Sequence, residues 1–391
     1  MPRPDERREL DAPALTTVLR EWGRIGCIGF GGPPTHIKLL RALCVDRYGW
    51  LDATEFEDAL AACNLLPGPA STQLAIFTAW RVRGWRGALV GGAGFILPGL
   101  IVILGLSAVF LATAPPAGVL GAGAGAGAAV AAVAVNAAIG LIPDSWRRRG
   151  HPVRWSAYLA AGAAAAASLG PWLVVVLIGC GLIELVVRRS SASSAPRAVF
   201  PMSVGSAAAP AVAAGGLLSL GWVALKVGAL SYGGGFVIIP LMQNDAVNRY
   251  HWMTSAQFLN AVALGQVTPG PVVQTVAVVG YAAAGVAGGL LAAAIAFAPS
   301  FAFVLGGGRH FDRIRNGDSP QAFLSGAGPA AIGGILGSAV PLTRALSETW
   351  QYGVLAGAAV LLLGLRRGVV TTILSAALVG LLIGVAGGPL P

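Results

Sequence analysis

The sequence predicts an all-α polytopic membrane protein made of two homologous halves in inverted (antiparallel) topology, with broken, re-entrant helices. Three observations predict it. Of 391 residues, 55% are hydrophobic and only 11% charged, against about 25% charged in soluble chains, and the mean hydropathy is +0.74. The chain resembles itself at a shift of 202 residues. Basic clusters fall in non-equivalent loops of the two copies, which under the positive-inside rule turns one copy over relative to the other. The uncharged runs at 87–142, 155–183, 204–225, 256–308 and 368–391 do not alternate polar with apolar residues, which argues against an outer-membrane barrel. Each run holds one or more spans of about 20 apolar residues.

Residues 1–13 form a polar tail without the apolar core of a signal peptide. The first half, 14–188, begins with a helix carrying Arg24 that runs into GFGGPP (29–34), the first backbone break. RYGW (47–50) follows, and DATEFED (52–58) reads as a capped helix start at the interface. LPGPAS (66–71) is the second break, with Arg81, Arg83 and Arg86 after it. GFILPG (94–99) and VLGAGAGAGAAV (119–130) supply small residues for close helix approach. Residues 189–214 form a polar linker, continuous with RRSSASSAPRAVFP (188–201).

The second half, 215–391, repeats this order. SYGGGF (231–236), RYHW (249–252) and TPGPVV (268–273) align without a gap, and roughly 15 of 50 positions from 24 to 73 are identical to their mates. AFAPS (296–300) and FLSGAGPAAIGG (323–334) continue the likeness more loosely. The charges do not repeat. YAAAGVAG (281–288) is neutral where the first half has its arginines, whereas Arg309, His310, Arg313 and Arg315 answer the neutral 111–117. These biases put 80–86, 147–154, 188–197, 309–315 and 366–367 in the cytoplasm and the C-terminus outside. Inverted repeats with broken helices are characteristic of secondary transporters.

The breaks carry the chemistry. Pro33, Pro67, Pro69, Pro269 and Pro271 suit a first helical turn, where a missing N–H costs nothing. The glycines beside them, Gly31, Gly32, Gly68, Gly233, Gly234 and Gly270, leave helix N-termini whose N–H groups and dipole attract anions. Arg24 and its repeat mate Lys226 precede the first break of each half, and cations within apolar helices are costly and usually functional; snorkelling to the interface is the structural alternative. His36 and Lys38 follow the break in the first half only, since their mates are Ile238 and Pro240. Asn64, Ser71, Thr72, Gln266 and Gln274 add neutral donors around the second break. Cations, helix N-termini and hydroxyl or amide donors together point to a small phosphate-like or sulfate-like oxyanion. Glu21, His36 and Asp245 are the candidates for proton coupling.

Other functions find little support. The four cysteines lack CxxC spacing, the four histidines lack HExxH spacing, and no Walker loop is present. No metal, cofactor or catalytic constellation is therefore expected. The net charge of +10 lies mostly in loops, where it reads as a topology signal, and no nucleic-acid partner is expected.

GFGGPPTHI (29–37), RYGWL (47–51), LLPGPASTQLA (65–75) and GWRGALVGGAGFILPG (84–99), with the partner series SYGGG and TPGP, resemble the chromate ion transporter superfamily in its long-chain, two-domain form. The likeness covers essentially the whole chain and is closer in the first half. Phe30, Gly31, Gly32, Pro33 and His36 match the family pattern, as do Pro67, Gly68, Pro69 and Ser71. The resemblance implies a multi-pass carrier of a bacterial or archaeal inner membrane that exports chromate, confers chromate resistance, and is driven by potential or proton gradient. Sulfate is the implied analogue. A carrier or flippase for another anionic substrate, such as a lipid phosphate, and a sulfate importer are the alternatives. The lipid bilayer is an expected partner, and a homodimer is compatible with the sequence.

Overall fold

The computed structural model describes residues 13–64, 68–147, 149–169, 173–192, 216–231, 238–307 and 317–391. Among these residues every regular element is helical, in accord with the predicted class. The helices are α1 (Leu15–Ile28), α2 (Pro33–Arg41) and α3 (Ala53–Cys63). Ala70–Phe110 then folds as two helices, α4 (70–82) and α5 (85–110), divided at Arg83 and Gly84. Next come α6 (Ala117–Ala128), α7 (Val130–Arg147), α8 (Pro152–Ala164) and α9 (Leu173–Ala192). The series resumes with α10 (Leu217–Leu230), α11 (Ile239–Gln243) and α12 (Ser255–Val267). Thr275–Gly307 is likewise divided, at Ala284 and Gly285, into α13 (275–283) and α14 (286–307). α15 (Asp318–Arg344), α16 (Thr349–Ala359) and α17 (Val369–Val385) complete the chain. α9 continues through Ala192, so residues 189–192 of the expected linker are helical.

The paired divisions are hairpin turns. Gly84 has φ 61°, ψ −156° and Gly285 φ 62°, ψ −154°, a region open to glycine and strained for other residues. Beyond the first turn, Gly87 and Gly91 lie back against Ala79. At about 1.5 Å per residue α4 reaches about 20 Å and α5 about 39 Å, so only the second can cross a core about 30 Å thick. Four segments are long and apolar enough to span: Ala70–Phe110, Ala117–Arg147, Val272–Gly307 and Asp318–Arg344. Ile101, Leu218, Leu382 and Val385 stand exposed on the outside, as lipid-facing side chains do.

Local features recur in register. Each short helix after the first break passes into a π-helical turn, Ala42–Arg47 and Asn244–Arg249. In RYGW and RYHW the third residue is left-handed, Gly49 at φ 59° and His251 at φ 53°. That turn stacks Tyr48 on Trp50 at 4.2 Å and Tyr250 on Trp252 at 4.7 Å, with Arg47 and Arg249 over the tyrosines. α3 and α12 are capped by Asp52 and Thr254, which accept from Glu55 N and Gln257 N.

The two halves interlock. α6 packs on α17 through small residues, where a Cβ at Gly121 or Gly125 would collide with the carbonyl of Gly380 or Ala376. In the reciprocal pairing, a Cβ at Gly326 of α15 would collide with the Cys180 carbonyl of α9. Such stripes hold membrane helices by close van der Waals contact, because lipid offers no hydrophobic drive. At the centre, α5 and α14 pack antiparallel. Gly92 receives the Phe301 ring, and Gly289 receives the Leu104 side chain.

Candidate functional site

The first break is built from glycine geometry. Gly31 (φ 96°) and Gly32 (φ 75°) take conformations closed to most residues, and Pro33 and Pro34 open α2. α1 ends here and leaves the Gly29 carbonyl free of the helix ladder. It accepts from His36 Nε2 at 2.8 Å and from the backbone N–H of Gly270 at 3.1 Å. A carbonyl can only accept, so Nε2 carries the proton. Nδ1, 3.2 Å from Ser71 Oγ, can then accept from that hydroxyl. One neutral tautomer satisfies both contacts. The ring is wholly buried, edge-on to Phe95 at 5.0 Å and 89°.

The second breaks lodge crosswise. Gly270 (φ 93°) sits against α1 and α5 of the other half: it bonds Gly29, and Gly99 has no side chain where the Pro269 carbonyl enters. Gln274 Nε2 donates to the Ile96 carbonyl at 2.7 Å. Pro271 then caps a 3-10 turn, Val272–Gln274, leading into α13. Gly68 (φ 114°) sits against α10 and α14: a Cβ there would lie 3.4 Å from the Gly228 carbonyl and 3.5 Å from Ser300 Oγ. Pro69 caps α4. α1 and α10 approach the long helices closely enough to need Gly26 at Phe95 O and Gly228 at Ala296 O.

The structure thus brings together His36, Ser71, Gly270 and Gln274, and sets Gly32 beside Val272. The cations are engaged elsewhere. Arg24 pairs with Glu21 at 3.4 Å, and that buried carboxylate also meets Arg20, Arg47 and Tyr48. Lys226 pairs with buried Asp245. Lys38 and Asn64 are exposed, whereas Thr72 and Gln266 are buried, with Thr72 Oγ1 and Gln266 Nε2 unbonded. Pro67, Gly233 and Gly234 lie outside the described residues. Sequence reasoning did not single out Gly29, Phe95, Gly99, Ser231 or Ser300. The repeat alignment held a signal for Ser300, because it replaces the glycine at 99 one residue after the shared Pro98 and Pro299.

A family model described as chromate transporter matches residues 16–185 and, a second time, 218–381. The chain belongs to the chromate transporter family. A chromate transport protein of Cupriavidus metallidurans is 30% identical over 340 residues, covering 82% of this chain and 80% of that protein. A probable chromate transport protein of Synechococcus elongatus is 27% identical over 366 residues, covering 88% and 91%. An archaeal relative, an uncharacterized transporter of Methanocaldococcus jannaschii, is 24% identical over 327 residues, with 80% of each chain covered. No solved structure matches. This chromate transporter family chain is therefore a multi-pass membrane transport protein with relatives in bacteria and archaea, and its relatives are named as transporters rather than enzymes.

Proposed function

We propose that this protein is a secondary transporter that exports chromate, or a sulfate-like dianion, across the inner membrane and so confers chromate resistance. One observation carries the reading: the Gly270 N–H of one half bonds the Gly29 carbonyl of the other. Breaks from both halves therefore meet, and helix N-termini next to one another favour an anion. The relatives' names supply chromate. Arg24 and Lys226 add positive charge, each held by a buried carboxylate, Glu21 or Asp245. Protonating that carboxylate would release the cation toward the anion, which is the route we assign to proton coupling. The antiparallel packing of α5 on α14 supports halves of opposite orientation and, with them, alternating access.

The test is flux of radiolabelled chromate and sulfate in proteoliposomes under an imposed potential or pH gradient. The wild type is expected to move chromate. Arg24→Ala and the charge-balanced double variant Lys226→Ala/Asp245→Asn are expected to lose flux while remaining monodisperse. Unchanged flux in both variants would remove the cations from the site. Absence of flux in the wild type for both ions under both gradients would remove the substrate assignment. A second reading, a carrier for a lipid phosphate, draws on an apolar groove between α16 and α17 lined by Trp350, Val354, Leu361, Val379 and Ile383. Lipid binding that chromate and sulfate fail to displace would favour it.

A further inference from the structure

We propose that the arginine cluster on α1 binds the phosphate headgroup of an anionic phospholipid, held by Arg20 and Arg47 around buried Glu21. Lipid binding there is independent of which ion the protein carries.

The cluster is built on one helix face. Leu19, Arg20, Arg24, Cys27 and Ile28 are exposed and share one side of α1. Glu21 lies at the edge of the buried side, 3% exposed. Its carboxylate is the common acceptor of four groups. Arg20 Nη2 at 3.3 Å and the Tyr48 hydroxyl at 3.2 Å meet Oε1. Arg24 Nε and Arg47 Nη1, each at 3.4 Å, meet Oε2. Tight charge-assisted hydrogen bonds are about 2.7–2.9 Å long, so the carboxylate is shared among the arginines rather than claimed by one. Among the described residues the ion pairs of all three arginines go to Glu21, which leaves two positive charges unmatched. The side chains of Arg20 and Arg47 are 72% and 54% exposed, and a guanidinium has five N–H donors to offer.

The repeat shows what this surface faces. On α10, the mate of α1, the corresponding side presents Leu218, Trp222 and Leu225, all exposed. Lys226 is turned in to Asp245 and is 22% exposed. An exposed apolar strip on a membrane helix faces lipid. By the 202-residue shift, Arg20 replaces Trp222 and Glu21 replaces Val223. The first half thus carries cations, and the acid that gathers them, on a surface whose mate is apolar. Cations there are costly, and on a lipid-facing surface the anion within reach is a lipid phosphate. Depth agrees. Residues 1–13 are polar, and Arg20 lies about 8 Å along α1 from Leu15, a distance an arginine covers largely by snorkelling to headgroup level. Arg47 is steadied by an aromatic stack. Its guanidinium lies 4.9 Å over Tyr48, Tyr48 is 4.2 Å from Trp50, and Trp50 is 5.9 Å from Trp22 of α1. Tyrosine and tryptophan concentrate at headgroup level. RYHW keeps the stack and Arg249 but has no counterpart of Arg20, so one such lipid per chain is expected.

The experiment is native mass spectrometry of the purified, delipidated full chain, titrated with phosphatidylglycerol or phosphatidylcholine in detergent. The wild type is expected to retain one phosphatidylglycerol in preference to phosphatidylcholine. Arg20→Gln and Arg47→Gln are each expected to weaken that binding about fivefold, the worth of one arginine beside an anionic lipid surface. Arg86→Gln, at the hairpin turn, is expected to bind as the wild type does. Equal retention of both lipids by the wild type would overturn the proposal, and that comparison decides even where a substitution impairs folding. Wild-type binding in both Arg20→Gln and Arg47→Gln would also overturn it, as would an equal loss in Arg86→Gln. Sodium sulfate is then compared with sodium chloride at equal ionic strength. Equal displacement of the lipid by both salts is expected. Displacement by sulfate alone would make the cluster a soluble-anion site and remove the lipid assignment.

Discussion

Arg24 and Lys226 are repeat mates, but their carboxylates come from different elements. Glu21 lies one turn before Arg24 on α1 and keeps Arg20, Arg47 and Tyr48 if Arg24 is lost. Asp245 lies in the π-helical turn after α11, and Lys226 is the cation described beside it. A buried carboxylate stripped of its partner is expensive, whereas a half-exposed member of a network is worth little. Lys226→Ala is therefore expected to destabilise the protein by about 3 kcal/mol, and Arg24→Ala by under about 1 kcal/mol. Adding Asp245→Asn to Lys226→Ala should recover most of the loss. Thermal unfolding in detergent tests all three. At this scale the sequence disclosed the residue types and their asymmetry between halves, including His36 and its apolar mate. It did not disclose partners: Gly29 finds Gly270, and Gly68 finds Ser300, across more than half the chain.

Elements were more legible, because their signals are local. The breaks follow from Gly–Pro clusters, the cap of α3 from the DATEFED stretch, and the hairpin turns fall at the basic stretch 81–86 and its neutral mate. The π-helical turns were not legible, since no composition marks them. Gly84 has nothing within 4 Å of a would-be Cβ, so a cost on substitution there is purely conformational. Gly84→Ala and Gly285→Ala are each expected to lower stability by about 1–2 kcal/mol, read as a shift in unfolding temperature. Gly125→Val tests contact instead. Its side chain would meet the Ala376 carbonyl, and forcing α6 from α17 should cost about 2–3 kcal/mol.

For the whole molecule, the repeat was plain in the sequence, yet the exchange of helices between halves was not. Small-residue stripes announce close packing without naming the neighbour. Because α6 leans on α17 and α15 on α9, either half expressed alone is expected to be degraded, and co-expression of 1–200 with 201–391 to restore a purifiable complex. Orientation is a separate question. After replacement of exposed Cys27, cysteines introduced at 83 and 284 are expected to react with an impermeant label from opposite faces of the membrane. Labelling from the same face would refute the inverted arrangement.

The exchanged helices also set a schedule for biosynthesis. α6 leaves the ribosome roughly 250 residues before the helix that covers its glycine face, a wait of about 12–50 s at ordinary elongation rates. Throughout that interval a bare strip of backbone sits in the insertion machinery or the lipid, available to any other helix that fits it. Slowing translation between the halves should therefore raise the yield of misassembled chain, even though no residue has changed.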